Sequence, residues 1–153
     1  MTKALQIDSK WRDFAETRCA EADARLTPAR WAVYTELVSS DRPLSAYELI
    51  ALQEDRQGRK IAPLTVYRHL DFLIKVGLVH KIQSTHAYVP CGHPDHAHES
   101  QYLLCTQCGR ADELESATLK RVLDDMALKR GFTTTKSVVE VTGLCGDCAA
   151  VKE

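Results

Sequence analysis

The first third of the chain places apolar residues every three or four positions, which is the period of an amphipathic α-helix. This period predicts a first helix within residues 9–24, with Trp11, Phe14 and Cys19 on its apolar stripe. A second helix is expected to begin at Thr27-Pro28, because threonine is a good N-cap and proline suits the first helical turn.

Two further helices follow in the pattern. The stretch Ser45-Ala-Tyr-Glu48 is a capping box and predicts the start of a third helix. A fourth helix is expected to open at Pro63 and to end near Gly77. Its apolar face consists of Val66, Leu70 and Leu73.

After Gly77 the helical period gives way to short apolar runs. Residues 78–82 and 87–89 flank a polar stretch, which predicts a β-hairpin. Helices followed by a small hairpin indicate a winged helix-turn-helix, here over residues 1–89. Residues 90–98 contain two prolines, a glycine, a cysteine and three histidines, and are predicted to form a hinge.

The remainder, residues 99–153, predicts a small α/β unit, so that the fold class is α+β. A strand is expected over residues 102–104 and an amphipathic helix over residues 116–130. The stretch 133–141 is rich in β-branched residues and is predicted to be a second strand.

Length and composition narrow the class of protein. A chain of 153 residues suits one domain or two small ones, and two half-size domains would each need a metal or a dimer interface for stability. The sequence contains no run of about 18 apolar residues, so no membrane span is predicted. It also lacks a long apolar stretch at the start, so no signal peptide is predicted. A cytoplasmic, reducing location is therefore expected, where Cys-x-x-Cys pairs are metal or redox sites rather than disulfides.

The formal net charge of −1 disfavours a protein that binds nucleic acid through bulk charge alone. Residues 1–85 hold 13 Lys and Arg against 11 Asp and Glu, whereas residues 86–153 hold 7 against 10. Any contact with nucleic acid is therefore expected in the N-terminal half.

Two Cys-x-x-Cys pairs are the strongest chemical signal in the sequence. Four thiolates on two tight turns make a tetrahedral cage, which is typical of a structural zinc site. The four cysteines are Cys105, Cys108, Cys145 and Cys148. A redox dithiol is the alternative, but the sequence shows no adjacent histidine or helix start that would lower a thiol pKa.

A second group of metal-binding side chains is spread over different structural units. It consists of His80, Cys91, His93, His96, His98, Asp112, Glu113 and Glu115. Nitrogen, thiolate and carboxylate ligands together suit zinc. A metal bound across these units would lock the N-terminal unit against the C-terminal one. The alternative interpretation of the group is a solvated histidine-rich loop that binds metal weakly.

Outside this group, Cys19 is expected to be a buried apolar residue. His69 and His86 are expected to be ordinary packing or surface residues.

On the fourth helix, Arg68 points away from the apolar face and is flanked by Thr65 and Tyr67. Arginine is the usual bidentate partner of guanine, threonine can meet a thymine methyl group, and tyrosine suits phosphates. A plain solvated face is the alternative interpretation, and the predicted wing favours DNA contact.

Taken together, these motifs resemble the ferric-uptake-regulator superfamily of bacterial metal-responsive repressors. The resemblance runs from about residue 10 to residue 150. Its motifs are Arg25-Leu-Thr-Pro-Ala-Arg30, Thr65-Val-Tyr-Arg68, Gly77-Leu-Val-His80 and the two cysteine pairs.

The resemblance implies a homodimer whose protomers each join a winged helix to an α/β dimerisation domain. It implies two zinc ions per chain, a structural one on the four cysteines and a regulatory one. The regulatory ligands would be His80, Cys91, His98 and Glu113. Two positions stay open: His96 could replace His98, and Asp112 or Glu115 could replace Glu113. The resemblance also implies that Tyr67 and Arg68 contact DNA, and that Arg30 and Tyr47 contact the DNA backbone.

Residues 77–91 are most similar to members of the superfamily that regulate zinc uptake. The resemblance therefore implies a repressor, not an enzyme, that binds palindromic operator DNA as a zinc-loaded dimer and represses zinc-uptake genes. An iron- or peroxide-responsive regulator of the same superfamily is the alternative, and Cys91 favours zinc over the harder ligands that iron prefers. A zinc hydrolase and a zinc-stapled adaptor are rivals from other classes.

Overall fold

The computed structural model describes residues 9–93 and 98–151 of the chain. The chain divides into two compact units, Met1–His96 and Ala97–Glu153. The expected hinge lies partly outside the described residues, because residues 94–97 are not among them. Within the described ranges, no helix is long and apolar enough to cross a membrane.

Four helices build the N-terminal unit: α1 (Ser9–Glu21), α2 (Pro28–Val38), α3 (Ala46–Gln57) and α4 (Pro63–Lys75). The predicted helix starts are confirmed. The side chain of Thr27 caps α2 by accepting from the Arg30 amide at 3.3 Å, and Ser45 and Glu48 form the reciprocal capping box of α3. Helix α3 is followed by the C-cap Gly58, whose φ of 63° is the left-handed conformation that glycine adopts at low cost.

Three short strands form the wing, in the order β1-β3-β2: β1 (Leu44–Ser45), β2 (Val79–Ile82) and β3 (Ala87–Pro90). All pairs are antiparallel, with His80 opposite Val89. The predicted hairpin is therefore confirmed, and the two-residue strand β1 was not foreseen. Helices α2, α3 and α4 pack with this sheet around one core that includes Tyr34, Leu49 and Leu70.

The C-terminal unit contains β4 (Gln101–Cys105), β5 (Ala111–Leu114), α5 (Ala117–Leu128), β6 (Val139–Gly143) and α6 (Gly146–Ala150). Its sheet has the order β5-β4-β6, with β4 antiparallel to β5 and parallel to β6.

The strand expected from residue 133 begins only at Val139. Strand β4 starts at Gln101, which pairs with Val139, so earlier residues have no strand beside them. Thr134 instead donates a 2.7 Å hydrogen bond to Asp124 on α5. Residues 133–138 are rich in β-branched side chains but do not form a strand, since among the described residues no strand edge pairs with them.

The C-terminal unit buries few side chains of its own. Among its described residues, 98–151, only Gln101, Tyr102 and Cys105 are buried. None of the 12 residues of α5 is buried, although all of them are described. Large apolar side chains remain exposed on this unit: Leu103, Val122, Met126, Leu128, Phe132, Val138, Val141, Leu144 and Val151.

Candidate metal centres and nucleic-acid interface

The four cysteines of the two Cys-x-x-Cys pairs come together in the C-terminal unit. Cys105 ends β4, Cys108 lies in the turn towards β5, and Cys145 is the N-cap of α6. All four sulfur atoms lie within 4.8 Å of one another. The Sγ atoms of Cys108 and Cys145 are 3.8 Å apart, and a tetrahedron with Zn–S bonds of about 2.3 Å has sulfur–sulfur edges of about 3.8 Å. The donor set and its spacing therefore fit a structural zinc ion.

Backbone amides prepare one of these thiols for a metal. Amides of Cys108, Cys145 and Gln107 donate to Cys105 and lower the pKa of its thiol to about 5. Hydrogen bonding to Cys145 and burial raise the pKa of Cys148 to about 12. The prediction that no nearby group lowers a thiol pKa is wrong for Cys105, because the short helix α6 and the turn amides are not visible in the spacing.

Arg110 joins the two metal-binding turns. Its guanidinium donates to Asp112 at 3.0 Å and to Asp147, which lies between Cys145 and Cys148, at 3.4 Å. Both carboxylates are largely exposed, so the pairs contribute little stability on their own. Through these two contacts Arg110, which follows the first cysteine pair, is linked to the turn of the second pair.

The N-terminal unit offers a pair of zinc-type ligands, His80 and Cys91. His80 lies on β2 and Cys91 directly follows β3, and a ring nitrogen and the sulfur lie within 4.8 Å of each other. Cys91 is 1% exposed, and its amide donates to the carbonyl of Leu78 at 2.9 Å. We call these two residues the N-terminal pair. Nitrogen and thiolate together are borderline-soft ligands that suit zinc.

The C-terminal unit offers a second pair, His98 and Glu113. His98 Nε2 and Glu113 Oε1 are 2.5 Å apart, and each side chain is 8% exposed. We call these residues the C-terminal pair. Asp112, the neighbouring alternative, points to the other face of β5 and binds Arg110, while Glu115 is exposed. His96 lies outside the described residues, so the choice between His96 and His98 as a metal ligand remains a prediction.

The predicted recognition residues lie on the exposed side of α4. Thr65, Tyr67 and Arg68 are exposed, whereas Val66, Leu70 and Leu73 are buried in the core. Tyr47, at the start of α3, is 81% exposed. A helix with an exposed polar edge beside a β-wing has the geometry by which winged helices enter a DNA groove.

Comparison with known proteins then places the fold in a family. Residues 21–142 match the family described as "Ferric uptake regulator family". The chain belongs to the ferric uptake regulator family. The "Zinc uptake regulation protein" of Escherichia coli K12 is 37% identical over 139 residues, which cover 90% of this chain and 81% of that protein. The protein of the same name from Mycobacterium tuberculosis is 32% identical over 130 residues, 83% of this chain and 96% of that one.

One solved structure similar to this chain is described as "Zinc Uptake Regulator Complexed With Zinc AND DNA". Its sequence is 35% identical, its TM-score is 0.89, and the match covers 97% of this chain and 98% of that one. The expected architecture, a helical N-terminal winged unit followed by a small α/β unit, is thereby confirmed.

In this member of the ferric uptake regulator family, Arg30 contacts the recognition helix itself. Its guanidinium lies 3.5 Å from the centre of the Phe72 ring on α4 and donates a 2.5 Å hydrogen bond to the Arg25 carbonyl. The Phe72 ring is partly buried beneath Arg30 and packs against the N-terminal core.

A buried polar group between α2 and α3 was also missed. Glu36 is 5% exposed and accepts hydrogen bonds from Gln53 at 3.2 Å and from Arg56. Nothing in the local pattern marks Glu36 as buried, because its partners lie 17 and 20 residues away. As expected, Cys19 is buried, and desolvation raises the pKa of its thiol; His69 is half-buried and His86 is exposed.

Proposed function

We propose that the protein is a zinc-responsive transcriptional repressor that binds palindromic operator DNA as a zinc-loaded homodimer and represses zinc-uptake genes. The observation that carries this proposal is the position of the N-terminal pair. His80 lies on β2, the strand that follows α4, and the amide of Cys91 donates to the carbonyl of Leu78, whose own amide donates to Leu73 on α4. Similarity to the zinc uptake regulation protein of E. coli supports the same function.

Recognition of DNA is assigned to the exposed edge of α4. Arg68 reads a guanine through bidentate hydrogen bonds, Thr65 packs against a base edge, and Tyr67 binds phosphate. Arg30 and Tyr47 contact the backbone. Stacking on Phe72 leaves Arg30 pre-organised, so little side-chain entropy is lost when it binds a phosphate oxygen.

Dimerisation is assigned to the C-terminal unit. Its exposed apolar side chains include Phe132 and Leu128, each 70% exposed, and Val141, 51% exposed. Large apolar side chains left in solvent in this number are typical of a protein interface, and a unit with so few buried side chains gains most of its core from a partner. A second copy of the chain is that partner.

One zinc ion per chain is assigned to the four cysteines and serves stability. Its sulfur spacing matches a closed tetrahedral cage, which leaves no open position for a catalytic water. The cysteines that would hold the ion come from the end of β4, its following turn and α6, so a bound ion would connect these segments. When bound, it supplies folding free energy to a unit that lacks a large core.

A second zinc ion per chain is assigned to the N-terminal and C-terminal pairs acting together. Two ligands cannot close a tetrahedron, and His80, Cys91, His98 and Glu113 together supply four. Each pair is already assembled within its own unit, which lowers the ordering cost of binding. Such an ion would fix the N-terminal unit against the C-terminal one.

The regulatory consequence follows from dimer geometry. Two recognition helices must lie about 34 Å apart to enter successive major grooves of a palindrome. When the winged unit is not fixed, only a fraction of dimers meets this spacing, and the apparent affinity falls by that fraction. Coupling of roughly 1–3 kcal/mol is typical, and operator DNA must tighten zinc binding by the same factor.

The test is to measure DNA binding against buffered free zinc, with metal counting on the same samples. Duplexes are selected from a random library with the zinc-loaded protein. We expect a palindromic sequence, one zinc per chain when zinc is scarce, and two when DNA is bound. The proposal would be contradicted by tight sequence-specific DNA binding at one zinc per chain. It would also be contradicted by DNA binding that depends on ferrous iron and not on zinc.

A further inference from the structure

Leu64, on the first turn of α4, is a large apolar side chain left in solvent. It is 58% exposed and is not among the residues that pack on the N-terminal core. Its helix has abundant apolar residues for the core already, since Val66, Leu70 and Leu73 are buried. Leu64 therefore contributes little to the packing of the winged unit.

The surroundings of Leu64 are those of the recognition edge. Thr65, Tyr67 and Arg68 are exposed beside it, and Leu64 precedes Arg68 by four residues, which places both on the same helix face. The first turn of α4 contains no acidic residue, and the N-cap Ala62 has no side-chain capping bond. Nothing on this turn therefore repels a phosphate backbone that approaches it.

We propose that Leu64 is a specificity-determining residue that contacts the C5-methyl group of a thymine in the operator. This inference rests on the proposed function, in which α4 enters the major groove. Residues in the N-terminal part of a recognition helix meet base edges, and the thymine methyl is the apolar group that the major groove displays. Leu64 lies one helical turn before Arg68, so its thymine is near the base pair that Arg68 reads.

The test replaces each thymine of the selected duplex in turn by deoxyuridine, which removes only the methyl group. When one particular thymine per half-site is replaced, the zinc-loaded wild type should bind the duplex about fourfold more weakly. This is the loss in affinity expected from one buried methyl group. Leu64→Ala should bind the thymine and deoxyuridine duplexes equally at that position. Leu64 is exposed, so the variant should keep the zinc content and thermal stability of the wild type.

Two controls separate Leu64 from its neighbours. Ile74→Ala removes a 37% exposed side chain near the other end of α4 and should retain the full deoxyuridine penalty. Thr65→Ser removes the other methyl-bearing group of the recognition edge and should also retain the penalty at the Leu64 position.

The inference is overturned if Leu64→Ala keeps the wild-type penalty, if Thr65→Ser abolishes it, or if Leu64→Ala weakens all duplexes alike. Failure of the proposed function gives a different result. In that case the zinc-loaded wild type selects no sequence from the library, and the inference falls with it.

Discussion

The amide of Cys91 donates a 2.9 Å hydrogen bond to the carbonyl oxygen of Leu78. The amide of Leu78 in turn donates to the carbonyl of Leu73, within α4, at 2.9 Å. Two backbone hydrogen bonds thus connect a residue of the N-terminal pair to the helix that exposes Arg68. A metal bound through Cys91 would therefore be connected by these two hydrogen bonds to the last turns of α4.

Cys91→Ser is expected to separate zinc sensing from folding. Removal of the thiolate should lower the zinc content by about one ion per chain and abolish the dependence of DNA binding on free zinc. The dimer should persist, because the four-cysteine cage is untouched. Metal counting, light scattering and DNA-binding titrations at buffered zinc measure these three outcomes.

Cys19→Ala is the matched control, since Cys19 is also buried but lies outside both ligand groups. It should retain the zinc content and zinc response of the wild type. A Cys91→Ser protein whose DNA binding still follows free zinc would remove Cys91 from the regulatory site.

Cys108→Ser is expected to disrupt the C-terminal unit. Structural zinc sites contribute roughly 10–16 kcal/mol of apparent binding free energy, comparable with or greater than the whole stability of a typical domain. Loss of one thiolate should therefore release zinc and either unfold this unit or dissociate the dimer. Size-exclusion chromatography with light scattering, together with circular dichroism, measures both effects, and an intact dimer without this zinc would refute the stabilising role.

The sequence predicted α2, α3 and α4 from local start signals, and it predicted α1 from the spacing of its apolar residues alone. Thr27 and Ser45 are side-chain caps, and their geometry is local. Elements that depend on distant partners were missed or misplaced. Strand β5 has 4 residues, of which Asp112 and Glu113 are charged, and α6 has only 5 residues, too few to display a helical period.

The same distinction applies to the candidate sites. Cysteine spacing alone identified the four-cysteine cage, since both ligand pairs are local motifs. Spacing could not separate Glu113 from Asp112 or Glu115, because the direction of each side chain depends on where β5 begins and which strand it pairs with. The resemblance, and not the spacing, favoured Glu113 at that stage.

The capping box of α3 predicts a pH dependence. Hydrogen bonds from Arg42, at 2.6 Å, and from the Ser45 amide, at 2.8 Å, lower the pKa of Glu48 to about 2. A carboxyl with a depressed folded-state pKa stabilises the fold above its ordinary pKa of about 4.5, and this contribution is lost as the pH falls towards 2.

Glu48→Gln should therefore lower the free energy of unfolding by less than about 1 kcal/mol, since the pair with Arg42 is largely exposed. The difference from wild type should be constant from pH 5 to 8 and shrink below pH 4.5, as measured by denaturant unfolding at matched pH. Glu16→Gln, which removes an exposed pair with Arg12, controls for loss of surface charge. A difference that stays constant down to pH 3 would exclude the depressed pKa.

Arg68→Ala is expected to change which operator the protein prefers. A bidentate contact to one guanine contributes about 1–3 kcal/mol of discrimination, so the variant should lose that amount at one base pair per half-site and bind the other three bases there almost equally. Lys75→Ala, on the last turn of the same helix, removes one positive charge just as Arg68→Ala does, and it should leave the base preference unchanged. The measurement is a comparison of binding to all single-base variants of the selected duplex at fixed zinc and salt. Uniform weakening across every duplex, with a shallower salt dependence, would instead make Arg68 a phosphate contact.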